Sequence, residues 1–94
     1  MYIIKPVEAL IRADRSDNIV IVCEFNTEAR PEPLVTWLFN NSPIHLSDNR
    51  KYSGNRNVLS IRDVDPADSG EYTCVLSNGY QHEQKFAYKL EVHG

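Results

Sequence analysis

Hydrophobic and polar residues alternate along most of this chain with a period of two. Ile19, Ile21, Cys23 and Phe25 fall on one side of an extended segment, and Val20, Val22 and Glu24 on the other, because successive side chains of a strand point to opposite faces. Val35, Trp37 and Phe39 alternate in the same way with Thr36, Leu38 and Asn40. Leu59 with Ile61, Tyr72 with Cys74 and Leu76, and Phe86 with Tyr88, Leu90 and Val92 make three more such segments, rich in β-branched and aromatic residues. Helical periodicity is scarce. The pattern predicts an all-β chain whose strands are each buried on one face.

Turn-forming residues punctuate these segments. Arg15-Ser16-Asp17-Asn18 precedes the first, Arg30-Pro31-Glu32-Pro33 leads into the Trp37 segment, and Asn41-Ser42-Pro43 leaves it. Ser53-Gly54-Asn55 is expected to lie between two further strands. Asn78-Gly79 predicts a hairpin joining a Tyr72–Ser77 strand to a Glu83–Val92 strand, since both residues tolerate positive φ. Pro6 cannot donate to a ladder, so Tyr2–Ala13 is expected as an edge strand broken in two, starting on one sheet and crossing to the other. Short strands at about ten-residue spacing indicate a sandwich or barrel.

With 94 residues the chain is expected to form one domain, 1–94. A chain this short buries only about two thirds of its unfolded surface. Its two cysteines, Cys23 and Cys74, stand 74 − 23 = 51 positions apart; a bond between them would contribute roughly 4 kcal/mol on chain-entropy grounds. The net charge of −3 argues against nucleic acid as a partner. No apolar run approaches the roughly 20 residues that span a bilayer, so this segment is not expected to insert into a membrane. The start, Met1–Pro6, lacks the basic and apolar regions of a signal peptide, and Leu90–Gly94 reads as a strand running to the end. The start fits either a cytosolic protein or a module cut from a longer secreted chain, and the strand-like end favours the module.

Cys23, Trp37 and Cys74 stand on three separate inward-facing segments, with Tyr72 two residues before the second cysteine. The stretch LSIRDVDPADSGEYTC, Leu59–Cys74, and the stretch PEPLVTWLFNNSPI, Pro31–Ile44, resemble immunoglobulin domains of the intermediate, or I-set, type. The resemblance implies a Greek-key β-sandwich of two antiparallel sheets. It implies that Cys23 and Cys74 form a cross-sheet disulfide, or a thiol pair in a reducing compartment. Trp37, Leu59 and Ile61 would then be core residues and Tyr72 a tyrosine corner. It also implies that Asp68 salt-bridges Arg50 or Lys51. The 74 − 37 − 1 = 36 residues between Trp37 and Cys74 leave room for three short strands rather than four, which favours I-set over variable type. One departure is Asp17-Asn18 in place of the usual glycine, where Asn can take the same left-handed conformation.

Other chemistries fit poorly. Asp63, Asp65 and Asp68, with Gly70 after them, miss the offsets of a calcium loop. Ser69 lacks a nucleophile elbow, and His45, His82 and His93 are scattered, so neither catalysis, metal nor cofactor is expected. Arg50, Lys51, Arg56 and Arg62 place a local +4 in residues 49–62, facing a −4 from Asp63, Asp65, Asp68 and Glu71. The basic stretch is a candidate site for sulphated glycans or other anions, set against mutual neutralisation of the two blocks. Leu38, on the outer side of its strand, and Tyr80, at the hairpin tip, are candidate protein contacts, with Arg56 and Arg62 as candidate charged ones. The sequon Asn40-Asn41-Ser42 is followed by Pro43, which makes it a poor acceptor. The resemblance implies a non-catalytic protein-interaction or spacer module with neighbouring domains in the same chain. Its expected setting is an extracellular or cell-surface adhesion, receptor or matrix protein. The alternative is a cytoplasmic module of a titin-like sarcomeric or cytoskeletal protein.

Overall fold

A computed structural model describes residues 2–4, 9–26, 33–44, 52–55, 57–79 and 82–94. The strands are β1 (Tyr2–Ile3), β2 (Leu10–Asp14), β3 (Ile19–Val22), β4 (Phe25–Asn26), β5 (Leu34–Phe39), β6 (Ser42–Pro43), β7 (Tyr52–Asn55), β8 (Val58–Ile61), β9 (Gly70–Ser77) and β10 (Gln84–His93), with a 3-10 turn at Pro66–Asp68. One sheet runs β2-β10-β9-β5-β6, a second runs β3-β8-β7, and β1 pairs with β4. All pairs are antiparallel except β2 with β10. The exception follows from the broken first strand. β1 lies beside β4, which continues the chain out of β3, whereas β2 joins the other sheet alongside β10. Pro6 itself lies outside the described residues.

The core is the inward half of the alternation. Ile21, Cys23, Trp37, Leu59, Ile61, Tyr72, Cys74, Leu76, Tyr88, Leu90 and Val92 are all buried, joined by Val64 from the corner before β9. Burying a side chain of this size is worth about 1.5–3 kcal/mol. Cys23 and Cys74 are bonded, with Cα atoms 6.3 Å apart across the sandwich. Trp37 pairs in register with Cys74 and lies 6.4 Å, centroid to centroid, from Tyr88. The Tyr88 hydroxyl donates to the Val22 carbonyl at 2.9 Å and so ties the two layers together.

Two local expectations are corrected, and one tight turn is added. Ser53, Gly54 and Asn55 belong to β7 rather than to a turn, pairing with Ser60, Leu59 and Val58. A second, tight hairpin lies at Asn40-Asn41, besides the expected one that joins β9 to β10 as antiparallel neighbours. Asn40 and Asn41 have φ of 47° and 70°, and Phe39 pairs directly with Ser42, which is the two-residue turn whose central residues both take positive φ. In the β9–β10 hairpin only Gly79 of the Asn78-Gly79 pair takes positive φ, at 83°. The left-handed residue before β3 is Ser16, at φ 75°, and not Asn18. The Asn18 side chain is occupied elsewhere, accepting the Asp63 N–H at 3.0 Å.

Candidate protein-interaction face

The stretch Asp63–Cys74 is built as a corner. Asp65 Oδ1 accepts the Ala67 N–H and Asp68 Oδ2 accepts the Asp65 N–H, both at 2.8 Å, a reciprocal capping box around the 3-10 turn. The Tyr72 hydroxyl donates to the Asp68 carbonyl at 2.9 Å, and Ser69 Oγ accepts the Val92 N–H at 2.9 Å, fastening the corner to β10. Burial pushes the Tyr72 phenol well above its ordinary range, with a smaller push from the neighbouring Tyr52 hydroxyl. The Tyr88 phenol is raised too, by burial first and by Glu24 second. Arg50 and Lys51, the expected partners of Asp68, lie outside the described residues. These groups hold the scaffold in place and face inward.

The outward half of the alternation on the five-stranded sheet forms a different kind of surface. Pro43 of β6 stands opposite Leu38 of β5, Leu38 opposite Thr73 of β9, and Thr73 opposite Ala87 of β10. This gives one uncharged row across four strands. A parallel row carries Thr36, Val75 and Lys85, and another Glu71, Lys89 and Leu10. Leu38 is half-buried within the first row, while Leu34, four residues earlier on the same side of β5, is 76% exposed. Beyond Ala87 the face dips into an open groove of about 290 Å³, flanked by Leu10, Glu71, Lys89 and Glu91. Arg12 and Glu91 form an exposed ion pair at 3.6 Å at its far edge, a contact worth little by itself.

Of the residues singled out in the sequence, Leu38 lies on this face. Arg62 is exposed just past the end of β8, on the other sheet. Tyr80 and Arg56 lie outside the described residues. Leu34 and Ala87 were not singled out. The alternation already carries both, since Leu34 continues the Thr36–Leu38 side and Ala87 lies between inward-facing Phe86 and Tyr88. Among the described residues no group of three or more His, Cys, Asp or Glu side chains could hold a metal ion, and no helix is long and apolar enough to cross a membrane.

Comparison with known proteins follows the same lines. The family model described as immunoglobulin domain matches residues 3–78. Mouse immunoglobulin superfamily member 10 is 37% identical over 83 residues, covering 87% of this chain and 3% of that protein. Bovine neural cell adhesion molecule 1 is 35% identical over 68 residues, covering 70% of this chain and 8% of that protein. Drosophila titin is 45% identical over 51 residues, 51% of this chain, at a share of its own length that rounds to 0%. An I-band fragment of titin, I67-I69, superposes with a TM-score of 0.78 at 24% identity, covering 96% of this chain and 31% of the fragment. The chain thus spans a small part of the relatives it matches.

Proposed function

We propose that this chain, which belongs to the immunoglobulin domain family, is a non-catalytic protein-interaction or spacer module of a multidomain protein, its 94 residues forming one domain. The observation that carries the reading is the uncharged row Pro43–Leu38–Thr73–Ala87, with Leu34 exposed at the start of β5 on the same face, on a sheet locked from behind by a disulfide. Strand-borne side chains on a rigid layer lose little freedom when a partner covers them, so burying exposed Leu34 would contribute most of its apolar transfer energy, about 1.5–3 kcal/mol, and half-buried Leu38 a smaller share. Glu71 and Lys89, opposite in charge and directly across from one another, would orient that partner.

The bonded Cys23–Cys74 pair supports an extracellular or cell-surface setting, where disulfides persist. Identity to an adhesion molecule supports it as well. The identity to titin favours the second reading, a cytoplasmic module of a sarcomeric or cytoskeletal array. Two measurements test the proposal. A photo-crosslinking residue at position 34 in the full-length protein, in its native tissue, is expected to capture a protein or a neighbouring domain, while one at exposed Arg15 is not; equal labelling would reject this face. Thiol counting on the native protein is expected to find no free thiol from this pair, and two free thiols would move it to the cytoplasm.

A further inference from the structure

The loop after β9 carries the one asparagine–glycine pair of the chain, Asn78-Gly79. Neither neighbouring strand holds these two residues. The last pair of β9 with β10 is Leu76–Gln84, and its last pair with β5 is Ser77–Leu34. Asn78 therefore stands one residue beyond both ladders. Gly79 is exposed, its φ is 83°, and a Cβ placed on it would meet no atom within 4 Å. Its backbone borders open space on that side.

The other described asparagines are placed differently. Asn26 and Asn55 lie within ladders, opposite Tyr2 and Val58. Asn18 is followed by Ile19 and Asn57 by Val58, both β-branched and both paired within strands. Asn40 and Asn41 fill the tight turn that the Phe39–Ser42 pair closes. The residue that follows matters because an asparagine side chain reacts with the main-chain nitrogen of its successor. A side chain on that successor crowds the approach, most of all a β-branched one, and glycine leaves it open. A ladder, in turn, fixes the dihedrals that must rotate to bring the two atoms together.

We propose that Asn78 is a site of spontaneous covalent modification, deamidation through a cyclic imide. The Gly79 nitrogen attacks Asn78 Cγ, and the new N–Cγ bond forms as the Cγ–Nδ2 bond breaks. The proton leaves the Gly79 nitrogen with the departing amide, as ammonia. Water then opens the ring at one of its two carbonyls. Opening at Cγ restores the ordinary main chain and leaves aspartate. Opening at the main-chain carbonyl routes the chain through Cβ and Cγ and leaves isoaspartate. The sum consumes one water and releases one ammonia, with no oxidant or cofactor. Either product sets a carboxylate where an amide stood, adding a negative charge to a chain whose net charge is −3. That charge appears next to Ser77, the partner of exposed Leu34. Isoaspartate also lengthens the main chain by one carbon. Both ladders end before Asn78, so the extra length falls in the loop and the sandwich stays intact. The proposal holds whether or not a partner covers the five-stranded sheet.

Peptide mapping by mass spectrometry tests this on the chain held in mildly alkaline buffer at body temperature, once folded and once in urea with the disulfide intact. In the folded chain the amide-to-acid mass gain is expected at Asn78 ahead of every other asparagine. Its folded rate should lie within roughly tenfold of the unfolded one, as for a loop that opens at little cost. The product should separate into two forms, one of which accepts a methyl group from an isoaspartyl methyltransferase. Gly79→Ala should slow conversion at Asn78 roughly tenfold or more. That variant is read in urea, where the strain of a side chain at φ 83° plays no part. No gain at Asn78 in the folded chain overturns the proposal, as does another asparagine reacting ahead of it. A folded rate more than about tenfold below the unfolded one would mean that the fold protects the site, and overturns it too. So does a gain without the isoaspartyl form, or Gly79→Ala reacting as fast as wild type, since either would mean that the Gly79 nitrogen is not the attacking group.

Discussion

Replacing Tyr72 with Phe isolates the hydroxyl that fastens the corner. The ring stays, stacked on Phe39 at 4.7 Å between centroids, and only the bond to the Asp68 carbonyl at 2.9 Å is lost. Tyr72 is fully buried and Asp68 is 7% exposed, so water does not readily replace the missing donor. The expected loss is about 1–3 kcal/mol at neutral pH, read as a lower urea midpoint with an unchanged slope. For a domain of this size each kcal/mol also lowers Tm by roughly 4–8 °C. A second signature comes from titration. The folded-state phenol is raised by burial, while the unfolded one ionises near its ordinary value of 10.0. Below that pH both states keep the proton and the contribution is fully present. Above it the unfolded chain releases a proton that the native chain retains, so stability falls with rising pH, by up to about 1.36 kcal/mol per pH unit. Tyr72→Phe lacks this group's share of the decline, whereas Tyr88, also raised, keeps its own. The gap between wild type and variant should therefore narrow between about pH 10 and 12. A variant as stable as wild type at pH 7, or a gap constant through alkaline pH, would refute the reasoning.

Three further outcomes follow from the geometry. Gly54, at φ 155°, leaves no room for a side chain, because a Cβ there would run into the backbone carbonyl of Val58. Gly54→Ala should lower stability by about 1–3 kcal/mol or more, and a melt at the wild-type temperature would contradict the close approach of β7 and β8. At Asn41, φ 70°, valine should cost about 1–2 kcal/mol while glycine matches or exceeds the wild type; the opposite order in urea midpoints would reject the turn. Reducing the Cys23–Cys74 bond, which closes 51 residues, should remove roughly 4 kcal/mol of stability, and a loss under about 1 kcal/mol would mean that the sandwich stands without it.

How far the sequence could be read depended on how local each determinant is. Strand identity and core membership were legible because one-sided burial imposes a period of two, and Ile21, Trp37, Cys74 and Leu90 each sit on the expected side. The turns were less legible because several sites offered the same residue preferences. Asn40-Asn41 became the tight hairpin with help from outside itself: the Asn40 N–H donates to the Glu71 carbonyl, and Asn40 Oδ1 accepts the Glu71 N–H, from a strand 31 residues away. Gly54 carried the composition of a turn and was recruited into β7 because it alone permits the approach to Val58. Ser16 took the strained backbone once Asn18 was committed to Asp63.

The candidate surfaces lie in the half of the alternation that the core leaves over, and here register decides. The alternation says that Leu38, Thr73 and Ala87 point outward; it does not say that they share a row. That depends on how β5, β9 and β10 are aligned. The two-residue Asn40-Asn41 turn sets the alignment of β6 on β5, and the Asn40–Glu71 bonds continue that of β5 on β9. A slip of one residue between β5 and β9 would set Leu38 opposite Tyr72 or Cys74 and turn one strand's apolar face to solvent. The corner at Tyr72 is thus more than a mark of the family. By holding β9 in place against Phe39 on one side and β10 on the other, it keeps an uncharged row assembled from four strands, and a binding face built this way fails when the register does, even with every one of its side chains intact.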